Sequence, residues 1–237
     1  MWEWSWEDGA QKWSVEPEMA YDPAKIHKIK FDGQYHKMDG FFQTHPSPQR
    51  TPVIFQAGAS KSGIAFAGLH AEAVYTDYNT FESLKAYTAQ VRQAARDAGR
   101  DPSTVKIFAA TMPIIGRTIE EAQAKLAHVK SMLSIQGGMA KFSSYCNVDL
   151  AQYEPKEPFK FEGKTGDNVI TGVINGYMAA QKESTQVWTP EYLGEMSAFG
   201  GNTPKPVGTA EMVADVFEKW FNECDIDGFN IACKLLQ

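Results

Sequence analysis

Residues 52–63 read Pro-Val-Ile-Phe-Gln-Ala-Gly-Ala-Ser-Lys-Ser-Gly. The run from Pro52 to Gln56 is short and apolar with no polar alternation, the pattern of a strand covered on both faces. Ala57 to Ser60 are small residues that suit a tight turn, and a small-residue helix follows through Gly63 to His70. Strand, turn and helix make one βα unit, and the residues downstream repeat it. Ala73–Thr76 is a second short strand. It leads into a helix from about Thr80 to Ala98, whose apolar positions Phe81, Leu84, Tyr87, Val91, Ala94 and Ala98 step by three and four. Gly99 ends that helix and Pro102 prevents its resumption.

A third strand spans Val105–Ala110 and continues to Ile115. Thr118-Ile-Glu-Glu121 is then a capping box, opening a helix that turns Ile119, Ala122, Leu126, Val129 and Leu133 inward. The fourth unit has its helix at about Thr209–Glu223, with Val213, Val216, Phe217 and Trp220 on one face, and its strand at Ile226–Ala232. Strands near 53, 74, 107 and 228 joined by helical crossovers predict an α/β fold with a parallel sheet. Four such strands are half of a (β/α)8 TIM barrel, which takes about 250 residues. The expectation is therefore half of a barrel, interrupted by a long insertion and unable to close alone.

In this division residues 1–50 lead into the barrel as the tail of a helix, marked by Trp2, Trp6 and Trp13, and a small β segment at His27–Phe31 with a turn at Asp32-Gly33. Residues 51–134 and 207–237 are the half-barrel. Residues 135–206, rich in Gly, Ser, Pro and charge, hold weak helical stretches at 169–181 and 190–198 and are expected to act as a lid.

Composition narrows the function classes. The 237 residues carry 23 Lys+Arg against 29 Asp+Glu, a net charge of −6, with 43% hydrophobic and 22% charged residues. That is enough apolar material for a core, which excludes general disorder. An acidic balance without a basic block argues against nucleic-acid or anionic-membrane binding, since both need cationic surface. No run approaches the roughly 18 apolar residues of a membrane span. The start, MWEWSWEDG, is acidic where a secretory signal is basic. These features point to the cytoplasm. Cys146, Cys224 and Cys233 show no CxxC spacing and read as buried thiols. His27, His36, His45, His70 and His128 show no ligand spacing, so no metal is expected.

The strongest chemical signal is Gln56 through Gly63. A turn between a buried strand and a helix presents free backbone N–H groups and the positive helix end, which suits a phosphate. The alternative is a plain turn in which Ser60 only caps the helix. The pattern is not a P-loop, because Ile64 stands where that motif has lysine, and no GxGxxG is present.

Several stretches together carry a resemblance. They are Ser5-Trp-Glu-Asp8, Lys25-Ile-His27, Asp32-Gly-Gln-Tyr35, Pro48-Gln49 and the QAGAS run ending at Ser60 with Gly63. Downstream come His70-Ala-Glu72, Gly99-Arg-Asp101, Gly116-Arg-Thr118, Val207-Gly-Thr209 and Asp227-Gly-Phe-Asn230. In order and spacing the chain resembles the flavin-dependent monooxygenases of the bacterial-luciferase superfamily, in the branch of nitrilotriacetate, dibenzothiophene-sulfone and long-chain-alkane monooxygenases. The resemblance implies a barrel enzyme that takes reduced FMN from a separate flavin reductase and uses O2 to place one oxygen in a small organic substrate. It also implies that Ser60, with the backbone at Gly58, Ala59 and Gly63, holds the FMN phosphate, and that Gln56 faces the cofactor from the strand end. Nothing here corresponds to the family's first four strands, so the resemblance implies about the second half of the barrel, and no catalytic residue is nominated. A second reading is a non-catalytic half-barrel that associates with a copy of itself or with a partner half-barrel through its open strand edges. A third is a barrel fragment that binds sugar phosphates.

Overall fold

The computed structural model describes residues 1–78, 80–158 and 186–233. They belong to two compact units that divide between Ile54 and Phe55. The N-terminal unit is built from two antiparallel hairpins. β1 (Gln11–Val15) pairs with β2 (Glu18–Tyr21), and β3 (Ile29–Asp32) pairs with β4 (Lys37–Gly40). The β segment expected near His27–Phe31 is β3. The helix tail expected around Trp2 to Trp13 is absent: the first residues form turns and Trp13 lies in β1. Trp2, Trp4 and Trp6 alternate at a spacing of two, which no helix face accommodates. Long-range bonds hold this stretch instead. Trp6 Nε1 donates to Phe42 O at 2.8 Å, the Phe42 N–H donates to Ser5 Oγ at 3.1 Å, and the Arg50 guanidinium donates to Glu3 O at 2.8 Å.

The second unit runs β5 (Phe55–Ala57), α1 (Lys61–His70), β6 (Ala73–Thr76), α2 (Phe81–Asp97), β7 (Lys106–Thr111), β8 (Ile114–Ile115), α3 (Ile119–Ser131), α4 (Ile135–Cys146), α5 (Pro190–Ala198), β9 (Val207–Gly208), α6 (Ala210–Cys224) and β10 (Gly228–Ile231). β5, β6, β7 and β10 form one parallel sheet in that spatial order. β8 and β9 make a separate parallel pair. One face of the sheet is covered by α1, α2 and α6, whose Ile64, Ala67, Leu84, Tyr87, Val91 and Trp220 pack with Val74 and Ile107. The other face carries a run of rings. Phe55 stacks on Tyr75 at 5.1 Å and on Phe108 at 6.2 Å, with Phe55 47% and Tyr75 41% exposed. The expectation that the first strand is covered on both faces is therefore corrected. Pleating sends Phe55 to the open face, and pairing begins only at Phe55 opposite Ala73. Among the described residues the sheet is open and no closed barrel forms.

A buried arginine fixes the last strand in place. Arg92 of α2 donates from Nε to Asp225 Oδ2 at 2.9 Å, from Nη2 to Asp227 Oδ2 at 2.9 Å, and from Nη1 to the carbonyls of Pro102 and Val105. Asp227 also accepts from the Ile107 N–H at 3.0 Å and from Lys106 Nζ at 3.1 Å. Burial alone would raise the Asp227 carboxyl, but the Ile107 N–H, Arg92 and Lys106 together hold it below its usual range.

The region 135–206 contains α4, which replaces the featureless start expected there. Gly138 serves a helix crossing: a Cβ there would lie 1.9 Å from Gly194 O, and one on Gly194 would lie 2.7 Å from Ile135 O. Only glycine on both helices lets the backbones meet this closely. Phe142, Cys146, Leu150, Trp188 and Leu193 form the core between them. α5 coincides with the stretch expected at 190–198, started by Thr189, whose Oγ1 caps Tyr192 N at 3.1 Å. The stretch 169–181 lies outside the described residues. Cys146 and Cys224 are buried, whereas Cys233 is exposed. Among the described residues no helix is long and apolar enough to cross a membrane.

Replacing Arg92 by alanine leaves Asp227 with only Lys106 and the Ile107 N–H as partners and should cost about 3 kcal/mol in urea unfolding. A lowered carboxyl pKa contributes stability that is present above the unfolded value and lost as pH falls through the folded one. The urea midpoint should therefore fall as the pH drops below the ordinary value of 3.8, and Asp227→Asn should make that fall shallower.

Candidate functional site

β5 ends at Ala57 and α1 begins at Lys61, so Gly58, Ala59 and Ser60 form the turn between them. Ser60 is the cap: its Oγ accepts from the Gly63 N–H at 3.0 Å and its carbonyl from the Ile64 N–H at 2.8 Å. The earlier N–H groups of the first turn have no partner within a helix. α2, α3, α5 and α6 each place a glutamate in their first turn, while α1 and α4 have none there, and α1 begins with Lys61. The positive end of α1 is left without an internal anion.

The turn folds closely on itself. A Cβ on Gly63 would lie 3.2 Å from Gly58 C, and one on Gly58 would lie 2.6 Å from Gln56 Nε2. Gln56 pairs with Val74, and Val74 with Ile107, so its side chain belongs to the helix-covered face and sits beneath the turn. Its Oε1 is buried without a hydrogen-bond partner, as is Oγ1 of Thr76 at the end of β6. Buried polar atoms of this kind are rare without water or a ligand to complete them. The residues singled out by sequence, Gln56, Gly58, Ala59, Ser60 and Gly63, are thus gathered around one helix end, with Gln56 below and the rest above.

Two features were not read from the sequence. Tyr87 appears there only as an inward position of α2, yet its hydroxyl donates to Gly58 O at 3.3 Å. Burial and the neighbouring Tyr78 both push its pKa up, so the hydroxyl keeps its proton. The available signal was a tyrosine at a core position, where the O–H requires a partner. The second is the segment before β9, which passes along the C-terminal ends of β6 and β7. Thr203 Oγ1 donates to Asp77 Oδ2 at 3.0 Å, and the Met112 N–H donates to Pro204 O at 2.8 Å. Burial raises the Asp77 carboxyl, while Thr203 and Lys205 act against it. In parallel α/β sheets this is the edge where ligands bind.

A family model described as luciferase-like monooxygenase matches residues 20–223. The chain belongs to the luciferase-like monooxygenase family. Dimethyl-sulfide monooxygenase of Hyphomicrobium sulfonivorans is 35% identical over 98% of this chain and 47% of its own length. Long-chain alkane monooxygenase of Geobacillus thermodenitrificans is 34% identical over 98% of this chain and 47% of its own length. A crystal structure of riboflavin lyase with modified FMN and riboflavin overlays with a TM-score of 0.73 at 31% identity, covering 98% of this chain and 49% of that one. This member of the family thus spans about half the length of the curated relatives it matches.

Tyr87→Phe leaves the Gly58 carbonyl without its donor. It should lower stability by about 1 kcal/mol and speed amide hydrogen exchange across residues 57–63 more than in α6.

Proposed function

We propose that this chain supplies the phosphate-holding part of a reduced-flavin monooxygenase. The carrying observation is the α1 end, which has a serine cap, no acidic residue in its first turn and Lys61 as its first residue. An FMN phosphate is a dianion with spare acceptor oxygens, and it suits the free N–H groups and Lys61 at this end. Ser60 and the backbone at Gly58, Ala59 and Gly63 hold the phosphate, and Gln56 faces the cofactor from the strand end. Family membership and the FMN named for the riboflavin lyase relative support flavin over other phosphate ligands. Bound reduced FMN, delivered by a separate flavin reductase, supplies the reaction with O2 that places one oxygen in a small organic substrate. The protein's part is to bind, to orient and to exclude water.

In this reading the four-stranded sheet is half of a TIM barrel, and the insertion at 135–206 serves as a lid. The uncovered rings of Phe55, Tyr75 and Phe108 favour a complementary half, from a longer chain, a partner half-barrel or a homo-oligomer. An isolated chain then has no catalysis without that partner. The acidic composition suits a cytoplasmic protein.

Ser60→Asp tests the phosphate assignment. Aspartate is as good a helix cap as serine, so the turn keeps its fold, but its charge opposes a bound phosphate. FMN affinity, read by fluorescence titration, should fall at least about tenfold while riboflavin affinity is unchanged. Equal loss for both ligands removes Ser60 from the phosphate site.

A further inference from the structure

A groove of about 730 Å³ lies wholly within the N-terminal unit. Its walls include the rings of Trp6, Trp13, Tyr21 and Phe41, and its rim carries Lys28 and His45. The volume is in the range of small-molecule sites. Trp6 and Tyr21 meet edge to face at 5.9 Å, and the Trp6 N–H is already spent on Phe42 O, so the floor is rigid and apolar.

Trp13 has no fold-level reason to line this groove. β1 and β2 pair Gln11 with Tyr21 and Ser14 with Met19, so Lys12 and Trp13 together oppose Ala20 alone. Trp13 sits in this bulge at φ +48° and is 70% exposed. A left-handed backbone under a bulky aromatic is strained, and bulges re-aim side chains beside binding sites. The structure thus spends backbone strain to hold an exposed indole over a cavity.

Charge indicates the occupant. In a chain of net charge −6, no aspartate or glutamate lines the groove. Lys28 lines the groove and, among the described residues, its ammonium has no ion pair. The geometry points to a binding site for a small aromatic anion, a carboxylate or sulfonate on a planar ring body. The ring enters between Trp13 and the Trp6–Tyr21 floor, and the anionic head pairs with Lys28. This site stands apart from the flavin reading, since none of its residues belongs to the α1 turn.

The test is titration of the full chain with 8-anilinonaphthalene-1-sulfonate and with its neutral analogue N-phenyl-1-naphthylamine. Trp13→Gly relieves the left-handed strain, so it keeps the hairpin folded while removing the indole. The proposal expects one saturable site, weakened about tenfold for both probes by Trp13→Gly. Lys28→Gln should weaken the sulfonate about threefold to fivefold and leave the neutral probe unchanged. Ser60→Asp should alter neither. Wild-type affinity in folded Trp13→Gly, or equal effects of Lys28→Gln on the two probes, overturns the proposal.

Discussion

The sheet depends on one buried cation. Arg92 projects from α2 into the join between α6 and β10, where it is shared by Asp225 and Asp227 and also satisfies two carbonyls before β7. A guanidinium this enclosed is tolerable only with its donors met by anions and carbonyls of fixed geometry. Asp227 in turn accepts the Ile107 N–H, and its own N–H donates to Ile107 O, so the contact that neutralises Arg92 also starts the β7–β10 ladder. The Asp-Gly-Phe-Asn stretch is explained by this. The aspartate sets the register, and Gly228 lies where a Cβ would meet the Phe108 ring at 3.0 Å.

With register fixed, the C-terminal strand ends fall along one edge. That edge holds the Gly58–Ser60 turn, Thr76 and Asp77, and the segment from Thr203 to Pro206 that bonds back to β8 through Ile114. The helix-covered face supplies rigidity beneath the turn through Tyr87, while the opposite face presents stacked rings. In the proposed reading, the strand-helix junction takes a flavin's charged tail and the neighbouring apolar surface takes its flat ring system.

Much of this was legible in the sequence because local patterns and tertiary demands agreed. The stepping of Leu84, Tyr87 and Val91 gave α2, Thr118 and Glu121 gave the start of α3, and the short apolar runs gave all four sheet strands. The turn at Gly58, Ala59 and Ser60 was readable because a strand-to-helix junction this tight favours small residues. The failures share a cause, which is long-range contact overriding local preference. The helix α4 was missed because Gly138 finds its use only against Gly194, far off in sequence. The tryptophans at the start suggest a helix until Phe42 claims Ser5 and Trp6. The strand expected to be covered on both faces is half open because Phe55 turns to the face that carries the stacked rings and stays 47% exposed. Tyr87 and Asp77 were missed as site neighbours because their partners, Gly58 and Thr203, are distant in sequence.

The account turns on the phosphate of FMN meeting the N-terminus of α1. The most direct measurement is an amide NMR titration of the labelled chain with FMN, following each backbone N–H separately. The account predicts saturating shifts concentrated at Ala59 to Gly63 and the Gln56 side-chain amide, with the same turn responding to inorganic phosphate at higher concentration. FMN shifts that saturate elsewhere and leave Ala59 to Gly63 unmoved would contradict it.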